Sequence, residues 1–246
     1  MDTNPFSGVK TYDSYRQLFE LLLFTLVLSV ALSAGAQIFL HKLLGLDVKF
    51  EEIYILVQGL VAFSACAAVL KESGVDFKET WRDWRGNARG DIAAALKYCF
   101  VYLLIIGALL ALAHFAVRLF PSAPHGAVMK TIDPQAARDA AMQGLLGVSV
   151  PRFLFLLFSI CVVTPLGEEL LYRRLIYTAL RQKMGFYKTL FASSVIFSAA
   201  HTTASLAVFP VGLLLGYVYE KKRRLPAVII LHGLINLFAT TVHLFM

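Results

Sequence analysis

Residues 189–219 run for 31 positions without a formal charge. Crossing ~30 Å of hydrocarbon takes ~20 apolar residues in a helix, so this stretch is too long for one economical span and short for two. Comparable runs occupy residues 21–40, 53–70, 98–117, 153–167 and 226–246. A soluble domain is roughly a quarter charged; here 16% of residues are charged and 58% are hydrophobic. That balance excludes a disordered, collagen-like or disulfide-scaffold chain and leaves no room for a separate soluble domain. The predicted fold is all-α: a polytopic membrane protein of about seven transmembrane helices enclosing an intramembrane polar cavity.

The basic residues set the topology. Arg181, Lys183 and Lys188 precede the 31-residue run, and Lys221, Lys222, Arg223 and Arg224 follow it. Two crossings with a break near 202–205 keep both groups on one face, as the positive-inside rule prefers. Extended along the chain with the N-terminus cytoplasmic and the C-terminus outside, this alternation puts 17 basic residues inside and 6 outside. Residues 1–149 then hold spans 1–3, an amphipathic segment within 71–97 and an extramembrane loop over 121–149. Residues 150–246 hold spans 4–7 and the functional core. In the 71–97 segment, Phe77, Trp81 and Trp84 share a helical face, which suits a short helix lying among the headgroups; an ordinary solvated loop is the competing reading. A cleaved leader is the rival to span 1, given Ala34-Gly35-Ala36, but the apolar run is long for one and Asp13 and Glu20 dilute the basic flank. The net charge of +7 sits in short loops, pointing to anionic lipids and not to nucleic acid. Cys66, Cys99 and Cys161 lie inside apolar runs and read as packing residues. Gly212 and Gly216 form a small-residue pair suited to close helix packing.

Ionisable side chains at membrane depth mark function by default, and three groups stand out. In Gly167-Glu168-Glu169-Leu170-Leu171-Tyr172-Arg173, Glu169 and Arg173 are one turn apart and can pair, while Glu168 points about 100° away. The competing reading is a helix end emerging into water. In Phe197-Ser198-Ala199-Ala200-His201, small residues leave space beside the imidazole. In His232-Gly233-Leu234-Ile235-Asn236, two polar groups share a face. Each alone is compatible with helix-bridging hydrogen bonds; together they are expensive to bury for packing alone. His41, His114, His125 and His243 lack such companions, and Glu51-Glu52 lacks an arginine at a helical offset. No GxSxG, HExxH, P-loop or dinucleotide fingerprint occurs. By ligand type a zinc ion on Glu168, His201 and His232 is conceivable. The favoured chemistry uses no metal: a carboxylate and an imidazole activate water, and another imidazole and an amide stabilise an oxyanion.

These residues resemble the CPBP family of CAAX proteases and bacteriocin-processing membrane proteins, whose signature is EExxxR, FxxxH and HxxxN in series. Here these stand as Glu168-Glu169 with Arg173, Phe197 with His201, and His232 with Asn236, over residues 153–246. Tyr172 stands where many members carry Phe. The resemblance implies an intramembrane endopeptidase without covalent intermediate or cofactor, set in a bacterial plasma membrane. Glu168 and His201 would activate water, His232 and Asn236 would hold the oxyanion, Glu169 and Arg173 would charge-balance the pocket, and Phe197 would wall it. The substrate would be a membrane-associated peptide or protein, lipidated or not. The alternatives are a non-catalytic membrane protein that binds a toxin and confers immunity, and a proton-coupled transporter.

Overall fold

The computed structural model describes residues 4–12, 14–119, 149–201 and 205–245. The expected extramembrane loop, with His125, and residues 202–204, near the expected break, lie outside the described residues, as does the side chain of His243. Seven helices and no strand occur among the described residues: α1 (Tyr15–Leu44), α2 (Phe50–Glu72), α3 (Phe77–Leu119), α4 (Val150–Lys183), α5 (Phe186–Ala199), α6 (Ser205–Lys222) and α7 (Leu225–Phe245). Ser14 caps α1 by accepting the Arg16 amide, and Gly45 ends it at φ 63°, a left-handed geometry that favours glycine. Helices α1, α2, α3, α4 and α7 are long and apolar enough to cross a membrane.

Two expectations need correction. The chain breaks between α5 and α6 where expected, but the arms are not two full spans: α5 has 14 residues, about 21 Å of helix. Thirty-one residues that include a turn cannot supply two ~20-residue crossings. The arms pack tightly instead. A methyl on Gly212 would lie 3.2 Å from Phe197 Cδ1, and one on Gly216 2.8 Å from Leu190 Cδ1. The second correction concerns residues 77–97, which form no separate interfacial helix. They are the first half of α3, which continues unbroken for 43 residues, roughly 65 Å. No proline interrupts it, and Gly86 and Gly90 cost only about 1 kcal/mol each relative to alanine. Arg224, in the α6–α7 turn, fixes α3 from the side, donating to both Asp91 oxygens at 2.6 and 2.9 Å and to Asp83 at 2.9 Å.

The basic segments expected on one face gather at one end of the bundle. Lys10 donates to the Gly74 carbonyl, Arg174 to the Lys10 carbonyl, and Arg181 pairs with Glu220 at 3.0 Å. Gln182 donates to the Phe6 and Val9 carbonyls, so the segment before α1 is stitched to the end of α4. At the opposite end Arg152 grips Glu52 with two hydrogen bonds of 2.9 Å, joining the starts of α4 and α2. Glu52 is therefore a helix clamp whose arginine comes from another helix.

Helix α4 is central and irregular. Its turns widen to π-helix over Ser159–Val163 and again over Leu170–Tyr177. Pro165 accounts for the first: it has no N–H, and in a regular helix its ring would collide with the carbonyl four residues back, that of Cys161. The Ile160 and Cys161 carbonyls are thereby left without a donor from Pro165. Helix α7 uses both: Asn236 Nδ2 donates to Ile160 O at 2.9 Å, and Gly233 packs its backbone on Cys161 O so closely that a Cβ would collide. On the other side, a Cβ on Gly167 would collide with Gly59 O, and one on Gly59 would sit 2.8 Å from Val163 O. Helices α2 and α7 thus touch α4 backbone to backbone, one residue from Glu168 and from His232.

Gly167→Ala and Gly233→Ala are expected to destabilise the protein by about 1–3 kcal/mol, because the obstructing atoms are backbone. Gly35→Ala, with nothing within 4 Å of its would-be Cβ, should change stability by less than about 0.5 kcal/mol. Denaturation midpoints in detergent micelles check the contrast.

Candidate active site

Glu168 and Glu169 close the short α-helical stretch of α4 between its two widened segments. Glu168 is 4% exposed, Glu169 and Arg173 are 0%. All three are packed inside the bundle and the helix continues to Lys183, so these are not solvated groups at a helix end. A charge at membrane depth costs ~2.5–3.5 kcal/mol even on insertion scales, and the neighbours offset that cost.

Glu169 and Arg173 form the expected pair, with Nε 3.3 Å from Oε2. The contact is ionic and off line for a hydrogen bond, which leaves Nε and Nη1 without a hydrogen-bond partner. Arg173 Nη2 reaches Gly212 O at 3.5 Å, and the guanidinium carbon stands 4.7 Å over the Phe197 ring. The other Glu169 oxygen accepts from His232 Nδ1 at 2.9 Å. Because a carboxylate only accepts, this contact puts a proton on Nδ1 and turns Nε2 outward. That Nε2 lies 3.8 Å from Glu168 Oε2. His201 is arranged the same way from α5: Nδ1 meets the Phe197 carbonyl at 2.7 Å, which again assigns the proton to Nδ1, and Nε2 faces Glu168 Oε2 at 4.0 Å. One carboxylate oxygen therefore faces two imidazole nitrogens across gaps a water molecule can bridge. His201, 22% exposed at its side chain, is the most open member.

Phe197 is the wall of the group. It is 1% exposed, stacks edge-on with Tyr172 at 5.0 Å, and lies 4.6 Å from the His201 ring and 5.8 Å from that of His232. The fold thus brings Glu168, Glu169, Arg173, Phe197, His201 and His232 together. Asn236 is placed differently: its amide is turned to Ile160 O, with one N–H left over. His41 and His114 sit on exposed faces of α1 and α3. Among the described residues, no three His, Cys, Asp or Glu side chains form a metal-binding group.

Sequence reasoning missed Gln58. From α2 its Nε2 donates to Glu168 Oε1 at 3.4 Å, engaging the oxygen that the imidazoles do not face. Tyr54, one turn earlier on the same face, is within electrostatic reach of Glu168. Gln58 adjoins Gly59 and Glu168 adjoins Gly167, so the glycine contact between α2 and α4 sets this amide against this carboxylate. The available signal was a lone amide midway through an otherwise apolar run.

Residues 150–238 match the family model of the Rce1-like type II CAAX prenyl endopeptidases. This C-terminal part is thus similar to the CAAX protease (CPBP) family, and the chain, with its long apolar helices, is an integral membrane protein. A Bacillus subtilis (strain 168) protein, YdiL, provisionally named a membrane peptidase, is 26% identical over 136 residues, covering 54% of this chain and 55% of that relative. The chain therefore spans about half the length of the curated relative it matches. No solved structure matches the chain.

Removing one member of the buried ion pair should be worse than removing both. Arg173→Met alone should cost about 3–5 kcal/mol by stranding Glu169, and the double variant Arg173→Met with Glu169→Gln should recover part of that loss. A double-mutant cycle by denaturant unfolding in micelles measures the coupling.

Proposed function

We propose that this protein is an intramembrane endopeptidase that hydrolyses a peptide bond of a membrane-associated protein or peptide with activated water and no covalent intermediate. The observation that carries this reading is the convergence of two imidazole Nε2 atoms on a single oxygen of Glu168, at 4.0 Å from His201 and 3.8 Å from His232. A water between Glu168 Oε2 and His201 Nε2 would lose its proton to the carboxylate as its oxygen attacks the scissile carbonyl carbon. Glu168 would return that proton to the departing amine nitrogen, giving a carboxylic acid and an amine. Neither residue becomes covalently attached to substrate.

His232 is suited to the developing oxyanion, provided that Nε2 carries a proton. Its Nδ1 is already committed to Glu169, so donation from Nε2 means an imidazolium. With that charge the four groups Glu168, Glu169, Arg173 and His232 sum to zero, which lowers the cost of holding them in a weakly solvated interior. The remaining N–H of Asn236 is a second candidate donor, with Ile160 fixing its amide plane. Glu169 thus supports the histidine as well as the arginine.

In this reading the N-terminus and the end of the bundle that gathers the basic segments face the cytoplasm of a bacterial cell, and the C-terminus lies outside. The substrate reaches Glu168 past His201, the most open side chain of the group. No metal is required for this chemistry. Prenylation of the substrate is not assumed, since nothing in the group selects for it.

Glu168→Gln and His201→Ala should each lower cleavage at least ~10²–10⁴-fold, the usual range for a lost general base, while leaving the unfolding midpoint close to that of the parent protein. Membrane peptides that accumulate in cells carrying only the Glu168→Ala form identify the substrate. A phenotype fully retained by that form would favour the non-catalytic immunity reading. Gln58→Leu, which frees the second Glu168 oxygen, should lower kcat about tenfold with KM little changed, and Gln58→His, which keeps a donor at similar reach, should restore most of it.

A further inference from the structure

A second polar feature lies away from this group, at the end of the bundle where the basic segments gather. A cavity of about 240 Å³ opens there between the segment before α1, the end of α2, the start of α3 and the α6–α7 turn. That is a little below the ~300 Å³ of a drug-sized ligand site and matches a small polar headgroup. Its walls are mixed: Phe6, Leu70 and Trp84 supply apolar surface, and Arg174, Arg223 and Arg224 supply charge. The charge is not balanced from within. Asp83 also lines the cavity, but it and Asp91 are both taken by Arg224.

Arg174 is left over. Arg174 is half-buried as a residue, and its Nη1 donates to the Lys10 carbonyl at 2.7 Å. No carboxylate among the described residues lies in ion-pair contact with it. A guanidinium presents a planar fork of donors that fits phosphate oxygens two at a time. Arg223, in a left-handed backbone conformation at φ 55° in the α6–α7 turn, lines the same cavity. We propose that this cavity is a binding site for the phosphate group of an anionic lipid, with Arg174 as its principal ligand. Its position favours a lipid over a soluble anion. Trp84 lines it on α3, about two turns before Ile92, where the charged first half of the helix gives way, Lys97 excepted, to apolar residues, which is the level at which tryptophans and headgroups meet.

The test uses the full chain in an uncharged maltoside detergent and follows tryptophan fluorescence, since Trp84 lines the cavity and Trp81→Phe removes the other indole. Short-chain phosphatidylglycerol should give a saturable change that short-chain phosphatidylcholine does not. Arg174→Gln should weaken that binding about tenfold or more, and Arg174→Lys, which keeps the charge and the fold, should weaken it less than Arg174→Gln does. Inorganic phosphate should compete only at far higher concentration. Equal affinity for phosphatidylcholine, or Arg174→Gln and Arg174→Lys variants that fold and bind as the parent does, would overturn the site. Inorganic phosphate binding as tightly as phosphatidylglycerol would overturn the lipid assignment and make this a soluble-anion site.

Discussion

A charge placed among lipid tails has to be surrounded before it can be tolerated, and the architecture around α4 follows from that constraint. Two carboxylates, a guanidinium and two imidazoles lie within one connected group, and a further amide reaches it from α2. None of the three helices that carry the group could hold it alone. α4 supplies the carboxylates and Arg173, α5 the wall and one imidazole, and α7 the other imidazole, so the polar centre is also what obliges these helices to meet. The apolar surfaces between them cannot select this arrangement, because lipid is as good a neighbour for leucine as another helix is. The polar contacts and the glycine crossings select it.

Pro165 shows how one residue serves several levels at once. By withholding a hydrogen and crowding the turn before it, it loosens the helix over Ser159–Val163 and leaves carbonyls available to another helix. Asn236 uses one and Gly233 presses against the next. The local defect becomes the tertiary contact that brings His232 beside Glu169. π-helical turns are often found at functional sites, and here a physical route from the defect to the site can be traced.

Much of this was legible before any coordinates. Helix number and type follow from run lengths and from the position of charges, which are local properties. The break after His201 followed from the basic groups on either side of it, and those groups do meet, through Arg181 and Glu220. That Glu168, His201 and His232 lie together was suggested by the expense of burying each separately. What could not be read depends on pairs of helices. Glu52 had no partner on its own helix, and Arg152 lies 100 residues away. Gln58 gains meaning only when Gly59 and Gly167 bring α2 against α4. The charged first half of α3 read as a separate interfacial helix because its pattern changes there, while the backbone has no reason to stop. The orientation of Asn236 depends on a carbonyl that only a widened turn exposes.

The widened turns also limit how this motif can be moved. Each residue in these wide turns advances by less than the 100° of a regular α-helix, so a helical wheel drawn at a constant 100° misplaces every residue beyond Ser159, and increasingly so beyond Leu170. Copying the two glutamates and the arginine onto a straight designed helix would preserve their spacing along the chain and lose their heading. Trimming a single residue from the first loose turn would rotate the remainder of α4 by roughly a quarter turn and swing the carboxylates away from both imidazoles. The irregularity belongs to the motif as much as its named side chains do, and a transplant would have to carry Pro165 and the facing Gly233 along with it.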